Sequence, residues 1–453
     1  MSREGLATLA ERERQAYLAA RPHSIALAAQ AARHFSASVP MHWMRDWPMP
    51  APLYVSHAAG AQLTDVDGHT YVDFCLGDTG AMFGHSPPAV AAAIATQAAQ
   101  GLTTMLPSAQ VAEAGERLTA LFGLPWWQLT QTATDANRAV LRLARMITGR
   151  PRVLVFDRSY HGSVDETLVE MAEDGATLPR SGQIGPIHDP RATTVVVEFN
   201  DIDAVTGALA EGDIACVLAE PVMTNAGMVL PQPGFLEALR AACTRHEVPL
   251  VIDETHTLSA ALGGYARMHQ LQADFLVCGK AIAGGLPCAV YGYTDAMAER
   301  LRDADTRRAP GHSGIGTTLS ANPLAVAALC ASLKDVITTA SHAHMEEGAA
   351  RLAEGIAAVL QDHATTWQVA RVGARVEFGP QPAPRTGRQS IAAIDQELEA
   401  VLHLYLLNRG FLLTPFHNMM LVSPATEVPQ IDAFLDQFDA ALEEFAVWMR
   451  DPA

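Results

Sequence analysis

The chain has 453 residues, 49% of them hydrophobic, and a formal net charge of −18. That length can bury a sizeable core, with room for one large and one small domain, and glycine (33) and proline (27) at near-average usage fit an ordered globular protein. The acidity keeps the protein soluble and argues against binding nucleic acid through its phosphates.

In chain order, the N-terminus Met1-Ser-Arg-Glu-Gly5 leads into a charged stretch rather than the apolar core of a signal peptide, and Glu4–Ala32 reads as a helix. Around Gln62–Phe74 an Asp-Gly turn separates two β-like runs, which predicts a hairpin. From Thr79 to Ala112 there is no Asp, Glu, Lys or Arg, but His85, Pro87, Pro88, Gln97, Gln100 and Pro107 break the stretch, so no membrane span is expected. Short apolar runs then follow at Val153–Phe156, Thr194–Val197, Ile214–Ala219, Pro249–Ile252, Phe275–Cys278 and Ala289–Tyr293, with helical patterns such as Ala136–Ile147 and Phe235–His246 between them. Alternating strand and helix predicts an α/β fold with a mostly parallel sheet covered on both faces. Beyond Pro323 the pattern is mainly helical, clearest at Glu346–Leu360, Asp395–Asn408 and Gln430–Met449, with a β-like piece at Gln368–Phe378. Residues 76–334 are expected to form the large domain, and 1–75 with 335–453 a smaller α+β domain built from both termini.

The six cysteines form no CxxC pair and several lie in apolar runs, where cysteine behaves as a small buried hydrophobe. A reducing, cytoplasmic setting is expected, and no metal.

One count narrows the chemistry. Of 31 basic residues only Lys280 and Lys334 are lysines. Arginine forms no stable imine with an aldehyde, because its guanidinium stays protonated. Lys334 adjoins Asp335 on an amphipathic helix and suits a surface role. Lys280 follows the apolar run Phe275–Cys278 in a glycine-rich loop that lets other groups come close; the alternative, a stem that lines the core with its head in solvent, suits Lys334 better. Upstream, Pro249-Leu-Val-Ile-Asp253-Glu254 is a strand ending in two carboxylates, separated from Lys280 by enough chain for one crossover. Both would emerge at the carboxyl ends of strands, where open α/β sheets bind ligands. A carboxylate there can hold the ring nitrogen of pyridoxal phosphate protonated, so that the ring acts as an electron sink. Alone, Asp253 could as well be a helix cap.

Thr130-Gln-Thr-Ala-Thr-Asp-Ala-Asn137 runs into a helix, and its hydroxyls and free N–H groups suit a phosphate as well as an ordinary cap. Tyr160, in Ser159-Tyr-His-Gly162, follows a strand and could lie flat on a ring.

In order, Thr132-Ala-Thr-Asp-Ala136, Tyr160-His-Gly162, Ala219-Glu-Pro-Val222, Ile252-Asp-Glu254 and Gly279-Lys-Ala-Ile-Ala-Gly-Gly285 resemble the class III aminotransferases of the fold-type I pyridoxal-phosphate enzymes. The resemblance extends to the glutamate-1-semialdehyde aminomutase-like and β-amino-acid aminotransferase-like members. Asp65–Phe74, Gly84-His-Ser-Pro87 and Gly316-Thr-Thr-Leu-Ser-Ala-Asn-Pro323 also match, so that the resemblance covers roughly Leu53 to the C-terminus.

The resemblance implies pyridoxal 5'-phosphate held by Lys280 as a Schiff base, with Asp253 on the pyridine nitrogen. Tyr160 would stack on one ring face and Thr255, where the family usually has valine, would lie on the other. Thr132, Ala133 and Thr134 would hold the phosphate, joined by Thr318 or Thr317 from the second subunit of a homodimer, with Glu220 in support. The family's Ser-Gly-Ser/Thr-Glu cradle is here Thr132-Ala133-Thr134-Asp135. Where relatives place carboxylate-binding arginines this chain has Phe416 and His417 near the C-terminus, and Trp43 or Arg45 near the N-terminus, as substrate candidates. The implied activity is two-step transfer of an amino group from an amino acid or amine to a 2-oxo acid. An intramolecular aminomutase of the glutamate-1-semialdehyde type is the alternative.

Overall fold

The structure is a computed structural model that describes residues 3–185, 189–414 and 417–449. The chain divides into two compact units, residues 88–339 with 384–392 and residues 1–87 with 340–383 and 393–453.

The larger unit is built on a seven-stranded sheet. Its strands are β1 (Trp126–Thr130), β2 (Arg152–Phe156), β3 (Thr194–Val197), β4 (Ile214–Ala219), β5 (Leu250–Asp253), β6 (Phe275–Cys278) and β7 (Ala289–Tyr293). Their order across the sheet is β1-β7-β6-β5-β4-β2-β3, and β7 alone runs against its neighbours. The central strands read as continuous apolar runs because both faces are covered. Leu154, Phe156, Val217, Ala219, Leu250 and Ile252 pack on one side with helices Ile202–Ala210 and Phe235–Arg245. Val153, Val155, Cys216, Leu218, Val251 and Val277 pack on the other with α1 (Ala133–Thr148) and helix Asp295–Thr306. This is the mixed α/β, mostly parallel architecture expected from the sequence. β1 is the strand the apolar runs do not announce: it lies at the sheet edge, and Gln128 interrupts its tryptophans and leucine.

The smaller unit holds the Gln62–Asp65 and Thr70–Asp73 hairpin in a four-stranded sheet with Val55–Ala59 and Phe411–Leu412. A three-stranded sheet, Trp367–Val372, Arg375–Pro380 and Met419–Leu421, packs with helices Thr339–Asp362, Gln396–Asn408 and Val428–Met449 around Phe74, Phe378, Phe434 and Phe438. The expected N-terminal helix is two, Arg3–Ala20 and Pro22–Ala31, because Pro22 cannot continue the first.

The unit boundaries differ from the divisions read at residues 75 and 334. Residues 76–87 stay with the smaller unit, where Leu76 and Met82 are buried and His85 Nε2 lies 2.7 Å from Asp73 Oδ2. The helical run through Lys334 stays with the larger unit to Thr339, as does the short segment 384–392. All six cysteines are free and buried.

Candidate active site

Five strands of the large sheet end at one edge, and each passes into a turn that carries candidate residues. Thr132–Thr134 follow β1, Tyr160 and His161 follow β2, Glu220 follows β4, Asp253 ends β5 and Lys280 follows β6. β5 and β6 are parallel neighbours with Asp253 opposite Val277. Lys280, three residues beyond Val277, therefore leaves the sheet beside the strand that ends in Asp253.

Asp253 is only 4% exposed. Its Oδ2 accepts a hydrogen bond from Asn137 Nδ2 at 2.9 Å and lies 3.1 Å from His161 Nδ1, while Oδ1 accepts from the Thr255 N–H at 3.1 Å. Burial alone would push this carboxyl up. The contacts with His161, Thr255 and Asn137 outweigh burial and hold Asp253 below the usual carboxylate range. It is therefore a buried anion at neutral pH, suited to a cationic partner.

Lys280 opens a helical turn, Lys280–Ala283, at φ +49°. An L-residue in this left-handed region bears a strain of about 1–2 kcal/mol, of the kind that collects at functional sites. Its Nζ lies 2.7 Å from His256 Nε2, and His256 Nδ1 lies 2.6 Å from Thr224 Oγ1. The Thr255 hydroxyl accepts from the Gly279 N–H at 3.2 Å, so it ties the lysine loop to the end of β5. Valine at that position could not make this bond.

Glu220 is buried and accepts through both oxygens, Oε1 from the Tyr160 N–H at 2.9 Å and Oε2 from the Thr224 N–H at 3.2 Å and the Thr224 hydroxyl at 3.1 Å. Burial pushes Glu220 up by more than His161 and these donors pull it down. Tyr160 is half-buried on the turn that Glu220 supports.

The start of α1 is shaped for an anion. Thr132 caps it, accepting from the Asp135 N–H at 3.2 Å and donating to Asp135 Oδ2 at 2.9 Å, and its carbonyl takes the Ala136 N–H at 3.1 Å. The N–H groups of Ala133 and Thr134 find no acceptor among the described residues. Two loops press on this turn. A Cβ on Gly162, at φ +84°, would stand 2.1 Å from Thr134 Oγ1, and one on Gly279 would stand 2.9 Å from Ala133 Cβ. Glycine at both positions is what lets the loops close in.

Two buried atoms beside Asp253, His161 Nε2 and Asn137 Oδ1, have no hydrogen-bond partner among the described residues. Each costs about 1–3 kcal/mol if left unmade, which fits a site completed by a bound molecule.

The remaining candidates make other contacts. Thr317 and Thr318 are exposed, and Thr317 Oγ1 donates to Gln131 Oε1 at 2.8 Å. In the smaller unit Trp43 is 36% exposed and Arg45 Nε bonds Asp46 Oδ1 at 2.8 Å. His417 is buried with its Nδ1 3.4 Å from Glu377 Oε1. Burial would lower His417, but Glu377, Asp78 and Glu399 outweigh it and raise the imidazole. Phe416 lies outside the described residues. Asn137, Thr224 and His256 were not singled out from the sequence, and His161 only as part of a motif. The available signals were an asparagine on the buried face of α1 and a histidine three residues past Asp253.

A family profile described as aminotransferase class-III matches residues 44–442. The chain belongs to the class-III aminotransferase family. Among solved structures of its relatives, a glutamate-1-semialdehyde aminomutase from Pseudomonas aeruginosa PAO1 is 47% identical, over 98% of this chain and 99% of that one, with a TM-score of 0.95. That enzyme has also been solved as a lysine-to-alanine variant in complex with PMP. An omega-transaminase from Sphaerobacter thermophilus is 27% identical over 93% and 97% of the two chains, with a TM-score of 0.84. A curated glutamate-1-semialdehyde 2,1-aminomutase from Roseiflexus castenholzii is 34% identical over 369 residues, 81% of this chain and 84% of its own. Among the described residues of this class-III chain no group of His, Cys, Asp or Glu is arranged to hold a metal ion, and no single helix is long and apolar enough to cross a membrane.

Proposed function

We propose that this chain is a pyridoxal 5'-phosphate enzyme of the glutamate-1-semialdehyde 2,1-aminomutase type. The observation that carries the reading is the 47% identity to the Pseudomonas enzyme across nearly the whole of both chains, together with a lysine loop that leaves the sheet beside a buried, ionised aspartate. The cofactor fits the residues present: the Ala133 and Thr134 N–H groups at the start of α1 for its phosphate, Asp253 for its ring nitrogen, and orphaned polar atoms beside Asp253.

In this reading Lys280 holds the cofactor's aldehyde carbon, and Tyr160 and Thr255 line its two faces. Thr132, Ala133 and Thr134 take the phosphate, with Thr318 or Thr317 of a second copy of the chain. Exposure of both threonines supports a homodimer with the site at its interface. Bound there, the cofactor supplies an electron sink that lets a proton leave the carbon bearing the amino group. Asp253 remains an anion and holds a cation against it. Glu220 fixes the Tyr160 turn through the Tyr160 N–H. Lys280 Nζ, when free, accepts the substrate's carbon-bound proton and returns it to the adjacent position. The net change moves nitrogen from C2 to C1 of glutamate 1-semialdehyde and leaves a ketone at C2, consuming nothing else. Free, buried thiols support a reducing compartment, the cytoplasm.

A second reading, two-substrate amino transfer to a 2-oxo acid, is favoured by the similarity to an omega-transaminase. The two separate on one experiment. Supplied with glutamate 1-semialdehyde and no 2-oxo acid, the aminomutase accumulates an isomer of unchanged mass; a product that forms only when an acceptor is added selects amino transfer. Borohydride treatment of the yellow protein is expected to fix the cofactor on the peptide carrying Lys280, and Lys280→Ala to lower turnover by roughly 10⁴-fold or more.

A further inference from the structure

The turn that carries Tyr160 is gripped at a peptide group. The N–H of the Ser159–Tyr160 peptide donates to Glu220 Oε1 at 2.9 Å, and the carbonyl of the same peptide, on Ser159, accepts from Arg180 Nη2. One rigid plane therefore lies between an acidic acceptor and a guanidinium donor. Turning it over would set the carbonyl against the Glu220 oxygen and the N–H against the guanidinium. The two side chains thus admit one orientation of the peptide, and with it they narrow the direction in which the Tyr160 side chain leaves the backbone. The turn is strained as well: Arg158, one residue before Ser159, has a φ of +67°, a backbone state that persists only where its surroundings over-determine it.

Arg180 is brought there by a separate piece of chain. It follows the hairpin of Val169–Met171 and Thr177–Pro179, which the Met171 N–H ties to Asp157 Oδ1, just past β2, at 2.9 Å. The Arg180 N–H donates to the Leu168 carbonyl at 3.0 Å, and Ser181 gives its N–H and its hydroxyl to the two oxygens of Glu170 at 2.9 and 2.7 Å. Glu170 also pairs with Arg158 at 2.8 Å. Arg180, by contrast, has no ion-pair partner among the described residues, and its buried Nε has no acceptor there. Burial and the neighbouring Arg158 both work against its charge, yet a guanidinium stays protonated. A cation held at that cost, with the Ser159 carbonyl as its acceptor, calls for a reason beyond its own pairing. We propose that Arg180 is a positioning residue for the cofactor: with Glu220 on the opposite edge of the peptide, it fixes the Tyr160 ring in the orientation that stacks on the pyridine ring. The inference rests on the proposed function for the identity of that ligand.

The test reads binding, not turnover. Full-length protein freed of cofactor is titrated by calorimetry with pyridoxamine phosphate, which has no aldehyde and so forms no imine with Lys280. An aromatic pair is worth up to about tenfold in affinity, so Tyr160→Ala is expected to raise Kd by about that factor. Arg180→Met, which keeps the length of the side chain and loses its donors, is expected to raise Kd by about fivefold while Tyr160 is present. In the Tyr160→Ala background the same substitution is expected to change Kd by less than about 1.5-fold, because no ring is left to orient. Arg180→Gln, which keeps a donor without the charge, is expected to give about half the rise of Arg180→Met and carries the same comparison if Arg180→Met does not fold. Unchanged affinity in the Arg180 variants overturns the proposal. So does an equal loss with and without the Tyr160 ring, which would mark a residue that holds the turn together and nothing more. A wild-type chain with no affinity for pyridoxamine phosphate overturns the proposed function and this inference with it, whereas wild-type binding that ignores Arg180 overturns the inference alone.

Discussion

At the scale of single residues, the proposed chemistry turns on Asp253 and the groups around it. Removing one partner from a buried charge pair typically costs 3–5 kcal/mol, so Asp253→Asn is expected to lower kcat/KM by roughly 10²-fold or more while the far-ultraviolet circular dichroism stays unchanged. Lys280 and Asp253 could be singled out in the sequence because each is locally distinctive, one of two lysines in a glycine loop and an acid closing an apolar run. Asn137, Thr224 and His256 could not, since their importance lies in contacts with residues such as Asp253 and Glu220 that are distant in the chain. The strain at Lys280 is likewise silent in residue type. A second residue-scale effect belongs to the smaller unit, where His403 Nε2 lies 2.9 Å from Asn418 Oδ1 and Asn418 Nδ2 donates to Glu399 Oε1 at 3.0 Å. Burial lowers His403 from 6.5 to about 4. With the folded value below the unfolded one, its contribution is complete above pH 6.5 and disappears as pH falls toward 4. The gap corresponds to about 3 kcal/mol, so His403→Gln is expected to flatten the acid limb of a urea-denaturation profile by about that amount. Glu399, which burial raises to about 7, acts the opposite way and costs stability as pH climbs toward neutrality.

At the scale of elements, the decisive junction is the first turn of α1 against the Gly162 and Gly279 loops. Gly162→Ala must both strain a φ of +84° and push a methyl group onto Thr134 Oγ1. A loss of about 1–3 kcal/mol is expected, read as a lower Tm, with faster release of cofactor during dialysis because the displaced Thr134 belongs to the proposed phosphate cradle. Thr132→Ala should cost about 1 kcal/mol through the cap alone, a smaller fall in the same two measurements. Elements buried on both faces were legible as apolar runs: β3, β4, β6 and β7 coincide with runs read from the sequence. β1 was not, because an edge strand with alternating exposure and a glutamine carries a weaker hydrophobic signal. The β-like piece at Gln368–Phe378 is a hairpin, Trp367–Val372 with Arg375–Pro380, whose turn has no strong local signature.

At the scale of the whole molecule, fold class was legible from strand–helix alternation, but the limits of the two units were not. Composition does not change at Pro87 or Thr339. What decides the first boundary is tertiary, since the Leu76 N–H donates to Asp73 Oδ1 and His85 lies against Asp73 Oδ2 within the small unit. The buried sulfurs offer a way to watch these units separately. Burial raises the thiols of Cys216, Cys243 and Cys288 to about 12 and that of Cys330 to about 11, and raises Cys75 and Cys278 as well. Thiolate is the reactive form, so iodoacetamide should leave the native protein untouched and modify a sulfur only during an excursion that bares it. Cys75 belongs to one unit and the other five to its companion. The chain thus carries its own pair of stopwatches: alkylation of Cys75 ahead of the rest would time the terminal half coming apart first, and simultaneous alkylation would mark a molecule that opens all at once.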